Sequence, residues 1–147
     1  MIVRRLTPDD ARDAIALYRE LTGDLPVAGE DRFAAVLTHP GTAVFGADVE
    51  GRIRSVLTMH ILPNMTYGGR PYALVENVVT AKTAQGQGLG RAVMEHAMSV
   101  AWAADVYKIM LLTGKELGAR GFYEKLGFTA DEKFGMTLRR APKRRPA

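Results

Sequence analysis

The chain has no cysteine. That absence removes a disulfide framework, a thiol nucleophile and any thiolate metal site. Its three histidines, His39, His60 and His96, lack the spacing of a ligand set and read as structural or surface residues, so no metal is expected. No apolar run is long enough to cross a bilayer, and Met1–Arg5 leads into a strand-like pattern rather than a secretory leader. A cytoplasmic protein without a membrane partner is the expectation. Internal repeats and low-complexity stretches are also missing.

Excess positive charge is missing from the body of the chain. The formal charge is +4, but Arg139, Arg140, Lys143, Arg144 and Arg145 place five positive charges in the last nine residues with no acid among them, leaving −1 for residues 1–138. A nucleic-acid surface spreads its cations over a folded face, so no nucleic-acid partner is expected. Residues 139–147 read as a disordered basic tail, with contact to an acidic partner or anionic substrate as the other reading. The 147 residues, 47% hydrophobic and 24% charged, fit one soluble domain over residues 1–138 with a single core.

Ile2–Arg5 reads as a strand. Thr7-Pro8-Asp9-Asp10 starts a helix to about Thr22, with Thr7 as N-cap, Pro8 at the first helical position and two acids at the positive end of the dipole. A second helix is expected from Glu30 to Leu37. Thr42–Val49 and Arg52–Leu62 form an antiparallel hairpin through Glu50-Gly51, and the breakers in Pro63–Pro71 make a loop. Leu74–Thr80 is expected to be a strand buried on both faces. Later come a helix from Gly88 to about Ala104, a buried strand at Tyr107–Leu112, a helix at Lys115–Leu126, and Phe128 with Glu132–Leu138 as the last strand or strands.

Between the Leu74 strand and the long helix lies Gln85-Gly86-Gln87-Gly88-Leu89-Gly90-Arg91. Glycines here leave backbone N–H groups uncovered where a helix begins, and the first N–H groups of a helix have no internal partner. With the helix dipole they suit a phosphate. A triphosphate-binding loop needs Lys-Ser or Lys-Thr after the last glycine, and Arg91-Ala92 stands there instead. A dinucleotide fingerprint from Gly86 needs glycine or alanine at position 91, and the chain is short for a doubly wound domain.

A third pattern is Gln or Arg, two residues, Gly, one residue, then Gly or Ala, matched by Gln85, Gly88 and Gly90. With it comes Ala119-Arg120-Gly121-Phe122-Tyr123-Glu124-Lys125-Leu126-Gly127-Phe128, a helix carrying Phe-Tyr that is ended by Leu-Gly-Phe. In these two motifs, their order and their separation, the chain resembles the GNAT superfamily of acyl-CoA-dependent N-acetyltransferases. The resemblance covers nearly everything up to Leu138. It implies a single α/β domain, a mixed sheet flanked by about four helices, with a V-shaped opening between the Leu74 and Tyr107 strands.

The resemblance also implies roles. Acetyl-CoA is the expected cosubstrate, with its pyrophosphate on Gln85, Gly86, Gln87, Gly88, Leu89, Gly90 and Arg91, and its pantetheine arm paired with backbone groups of Val78 and Val79. Asn77 and Val78 fall where the family's central strand bulges and a backbone N–H polarises the thioester carbonyl. Glu76, a carboxylate in an apolar strand, pays for desolvation unless paired, wetted or used, and it is the candidate base for the amine. Tyr123, otherwise an ordinary core tyrosine, matches the family's general acid. One position departs: many relatives have Asn seven residues before this tyrosine, and this chain has Glu116.

Val75–Val79 and Tyr107-Lys108-Ile109 are similar to the amino-sugar-phosphate acetyltransferases. The acceptor stays open among small amine, amino sugar, antibiotic and protein amine, a small-molecule amine being the expectation, with Arg32, Tyr67, Arg70 and Tyr72 as wall candidates. Trp102 reads as packing. A homodimer is expected from the family. The competing reading is a catalytically silent acyl-CoA-binding module, which has no need for Glu76 and Tyr123 together.

Overall fold

A computed structural model describes residues 1–144. Five strands form one sheet in the order β1 (Ile2–Arg5), β2 (Thr42–Val49), β3 (Arg52–Leu62), β4 (Tyr72–Thr80) and β5 (Ile109–Met110). The first three pairings are antiparallel and the last, β4 with β5, is parallel. Four helices flank the sheet: α1 (Ala11–Thr22), α2 (Glu30–Thr38), α3 (Leu89–Ala103) and α4 (Arg120–Lys125).

Local chemistry sets the start of this order. The Thr7 N–H donates to the Asp10 carboxylate at 2.8 Å, and Arg4 holds the same carboxylate at 2.8 Å, so the chain turns from β1 into α1 over one ion pair. Between the layers sits an apolar core led by Leu57, Met59, Met94, Val44, Val56 and Val93, each almost wholly buried. Phe45 lies edge-on to His96 of α3, with ring centroids 5.0 Å apart, so Phe45 and its ladder partner Leu57 face α3. The next residue in β3, Thr58, therefore faces the other side, with α1. Glu76, which pairs with Thr58, shares that side.

The opening between strands has a simple basis. β4 and β5 pair at only two positions, Ala73 with Ile109 and Leu74 with Met110, and the ladder then stops. The two strands part, and β4 from Val75 onward has no strand partner on that flank among the described residues.

That parting corrects several expectations. The strand at Tyr107–Leu112 shrinks to Ile109–Met110 and is half-buried, because no ladder continues beyond it. β4 is open in its middle, with Glu76 and Asn77 exposed rather than buried. The helix expected at Lys115–Leu126 is split: Gly118 at φ +66° ends one 3₁₀ turn (Lys115–Leu117), and α4 starts afresh at Arg120. No strand forms at Phe128 or Glu132–Leu138, since β5 is too short to offer an edge. The described part of the basic tail is irregular, with Lys143 at 3.8 Å from Glu116; Arg145 lies outside the described residues.

Candidate active site

The site begins with an irregularity in β4. Thr58 pairs with Glu76 and Val56 with Val79, so Leu57 alone stands opposite both Asn77 and Val78. This is a β-bulge at the position the family resemblance implied. Asn77 carries it at φ +53°, an unusual backbone angle that asparagine tolerates better than most residues. The bulge falls where β4 has lost β5, so its backbone groups face the opening.

Past Thr80 the chain makes a 3₁₀ turn at Lys82–Ala84, capped by Glu20 of α1 through its carboxylate on the Lys82 N–H at 2.9 Å. The glycine turn follows. Gly86 and Gly88 have φ of +76° and +79°, and a Cβ on either would meet no atom within 4 Å. Glycine is required there by backbone angle, and the space before the amides is open. Gly90 serves differently, since a Cβ would crowd the Thr80 Oγ1 at 3.2 Å while touching the Phe122 ring at ordinary contact distance.

A cavity of about 580 Å³ joins these parts. Val78 and Val79 line it from the bulge, Gln85, Gly86, Gly88, Leu89, Gly90 and Arg91 from the turn, and Phe122 and Tyr123 from α4. Uncovered amides at a helix start, with Val78, Val79, Phe122 and Leu126 as apolar wall, fit a phosphate-bearing thioester. Arg91 spends part of its charge on Glu95, at 2.8 Å. Lys125 also lines the cavity and makes no ion pair among the described residues. Sequence reasoning passed over it, although a cation at the end of the Phe-Tyr helix was signal enough.

Tyr123 is held edge-on between Phe122 and Phe128, with ring centroids 5.0 and 6.0 Å away. Burial pushes its hydroxyl pKa up, and the charge of Arg144 partly opposes that rise. At neutral pH it is a phenol with a proton to give.

Two predicted residues lie outside the cavity. Gln87 does not line it. Glu76 sits just before the bulge, exposed to water, so the desolvation argument for it fails. It shares the face of the sheet on which Thr58 meets α1. Glu116 pairs with Lys143 and does not line the cavity.

The wall candidates separate. Tyr67 stacks on Tyr107 at 4.1 Å, and the Lys108 ammonium lies over the rings of Tyr107 and Tyr72, all at the end of β4 away from the glycine turn. Arg70 is engaged with Asp105 at 3.1 Å, and Arg32 lies on α2 and does not line the cavity. His39 and His60 both reach the Thr42 hydroxyl, at 2.9 and 2.8 Å, and Trp102 is exposed at the end of α3.

A mixed sheet splayed beside a bulge, with a glycine turn opening a helix, defines an acyl-CoA-dependent N-acetyltransferase: the chain belongs to the acetyltransferase (GNAT) family, whose model matches residues 12–128. It is 31% identical to the glucosamine 6-phosphate N-acetyltransferase of Trypanosoma brucei brucei over 135 residues, covering 89% of this chain and 90% of that one. Among solved structures it resembles a protein of Agrobacterium tumefaciens strain C58 at 38% identity and TM-score 0.89, covering 95% of this chain and 100% of that one. A Trypanosoma brucei acetyltransferase matches at 30% identity and TM-score 0.79, covering 94% of this chain and 98% of that one. Enzymes of the family take the acetyl group from acetyl-CoA. No helix among the described residues is long and apolar enough to cross a membrane.

Proposed function

We propose that the chain acetylates the primary amine of a small acceptor, an amino sugar or its phosphate first among them, by direct attack on acetyl-CoA in a ternary complex. The observation that carries this reading is the single cavity joining the open amides of the glycine turn to the Tyr123 side chain. Similarity to the trypanosomal glucosamine 6-phosphate N-acetyltransferase supports the acceptor class. Without cysteine, an acetyl-cysteine intermediate has no nucleophile.

The pyrophosphate sits on the amides of Gln85–Arg91, and the pantetheine arm pairs with backbone groups of Val78 and Val79, which β5 leaves free. An alkylammonium, with pKa about 10, has no lone pair and must first lose a proton. Glu76 takes that proton, directly or through water. The neutral amine attacks the thioester carbon, and the charge on its oxygen meets the backbone N–H of the bulge. As the tetrahedral adduct collapses and the C–S bond breaks, the Tyr123 hydroxyl protonates the thiolate, and the proton that the new amide nitrogen sheds restores the phenol through water. The enzyme works as a homodimer in the cytoplasm.

A thiol-release assay over a panel of amines, with glucosamine 6-phosphate and glucosamine included, tests this reading. Turnover on at least one amine is expected. Tight acetyl-CoA binding without turnover on any amine would leave a binding module in its place.

A further inference from the structure

One buried hydroxyl serves two histidines. The Thr42 Oγ1 is 2.9 Å from the His39 Nδ1 and 2.8 Å from the His60 Nδ1. A hydroxyl has one proton, so of two neutral rings one accepts it and the other donates from its own Nδ1–H. His39 is exposed after α2, whereas His60 is half-buried on β3. The His60 Nε2 has no hydrogen-bond partner among the described residues, and because no buried side-chain nitrogen or oxygen among them lacks one, that atom is open to solvent or a ligand. The register brings His60 to the site. Thr58 faces Glu76 and His60 faces Leu74, so His60 and Glu76 are diagonal neighbours on one face of the sheet. Such diagonals span about 7–8 Å between Cα atoms, within reach of an imidazole and a glutamate. The other titratable or charged groups around His60 are Tyr72 at the second diagonal, with the Lys108 ammonium 5.8 Å from its ring, Tyr18 of α1 bonded to Thr58, and Arg5, which donates to the Thr42 carbonyl at 3.0 Å.

We propose that His60 receives the proton that Glu76 takes from the acceptor amine, an inference that rests on the acetyl-transfer reading above. One proton leaves with each turnover, since an alkylammonium and a thioester give an amide, a thiol and a proton. The ammonium N–H bond breaks as a Glu76 O–H bond forms. That O–H bond then breaks as the His60 Nε2–H bond forms, directly or through one water, and the imidazolium later gives the proton to solvent. A carboxyl group is ordinarily a stronger acid than an imidazolium, so transfer runs toward His60 and returns Glu76 to its carboxylate. The Thr42 bridge readies the ring for this. With the His60 Nδ1–H donating to Thr42 and the Thr42 hydroxyl donating to the His39 Nδ1, the His60 Nε2 is a bare acceptor that gains a proton without breaking either hydrogen bond. The opposite arrangement leaves Nε2 already protonated. Imidazole is also the side-chain base that changes charge near neutral pH.

Rates in a pH series on the full chain test it, with an amine that the thiol-release panel finds to turn over. In wild type, kcat/KM for the amine should carry a limb near neutral pH. His60→Gln should lower it by roughly 10- to 100-fold at neutral pH, abolish that limb and respond to added imidazole, while acetyl-CoA affinity holds. Thr42→Val, which keeps the branched shape and deletes the hydroxyl, should lose less and respond likewise. Nitrogen-15 NMR of the histidine rings in wild type gives a reading without turnover: the proton of neutral His60 is expected on Nδ1 and that of His39 on Nε2. A His60→Gln or Thr42→Val enzyme with the wild-type rate and pH profile, or a neutral His60 protonated on Nε2, overturns this inference and leaves acetyl transfer standing. Absence of turnover by wild type on every amine overturns both.

Discussion

Gly90 and Thr80 stand so close that a Cβ on the glycine would lie 3.2 Å from the threonine Oγ1. The hydroxyl is held by the Ser55 Oγ at 2.8 Å, so retreat from the new methyl strains that hydrogen bond. Gly90→Ala gains about 1 kcal/mol of helix propensity. It loses about 1 kcal/mol with the strained hydrogen bond and about 1–3 kcal/mol from overpacking. The net change is a loss. Calorimetry should show the unfolding midpoint lowered by roughly 2–12 °C, and an unchanged midpoint would mean that Thr80 yields.

Gly88→Val separates binding from folding. A Cβ at this position meets nothing in the protein, so the folding cost is confined to the φ of +79°, about 1–2 kcal/mol. A ligand on the amides would meet the valine directly. Titration calorimetry should find acetyl-CoA affinity reduced by roughly 10- to 100-fold, a loss of about 1.4–2.8 kcal/mol. Undiminished affinity in a folded variant would place the cosubstrate elsewhere.

Much of this was legible in the sequence because it is written in local chemistry. The β2–β3 hairpin and the start of α1 follow from turn and cap residues, and the glycine turn announced a helix with open amides. What was misread depends on partners distant in the chain. Tyr107–Leu112 has a strand's composition, but strand length is set by the neighbouring ladder, and β4 leaves β5 after two pairs. Phe134, Met136 and Leu138 have a strand's period without an edge to join. Glu76 looked buried because its neighbours are apolar, although the bulge beside it opens that stretch to water. The side-chain identities named Tyr123 and Glu76, and only the ladder showed that Glu76 stands just before the bulge on the face it shares with Thr58.

Acid should weaken the fold through Asp13. Its carboxylate binds the Arg52 guanidinium at 2.8 Å and accepts the Ile53 N–H at 2.9 Å, and its pKa is lowered, first by the bond to Arg52. A depressed folded pKa contributes stability that is present above the unfolded value of about 3.9 and is lost as pH falls through the folded value. Unfolding midpoints measured from neutral pH downward should therefore drop less steeply in Asp13→Asn than in wild type. Parallel curves would remove Asp13 from the acid response.

Glu76→Gln should show a defect that base repairs. At neutral pH the amine is mostly protonated, and removal of its acceptor lowers kcat/KM. Raising the pH toward the amine pKa of about 10 supplies neutral amine directly, so activity recovers. Rates in a pH series check this, and a deficit that stays constant would give Glu76 some role other than base.

The most direct test of the account is the kcat of Tyr123→Phe from neutral to alkaline pH, measured beside its acetyl-CoA affinity. The substitution keeps the ring between Phe122 and Phe128 and deletes only the hydroxyl. If that hydroxyl protonates the departing thiolate, kcat falls by roughly 10²–10⁴ at every pH while affinity holds, with no recovery in base. Full activity across the range would contradict the account, reducing Tyr123 to packing and leaving the thiolate to water.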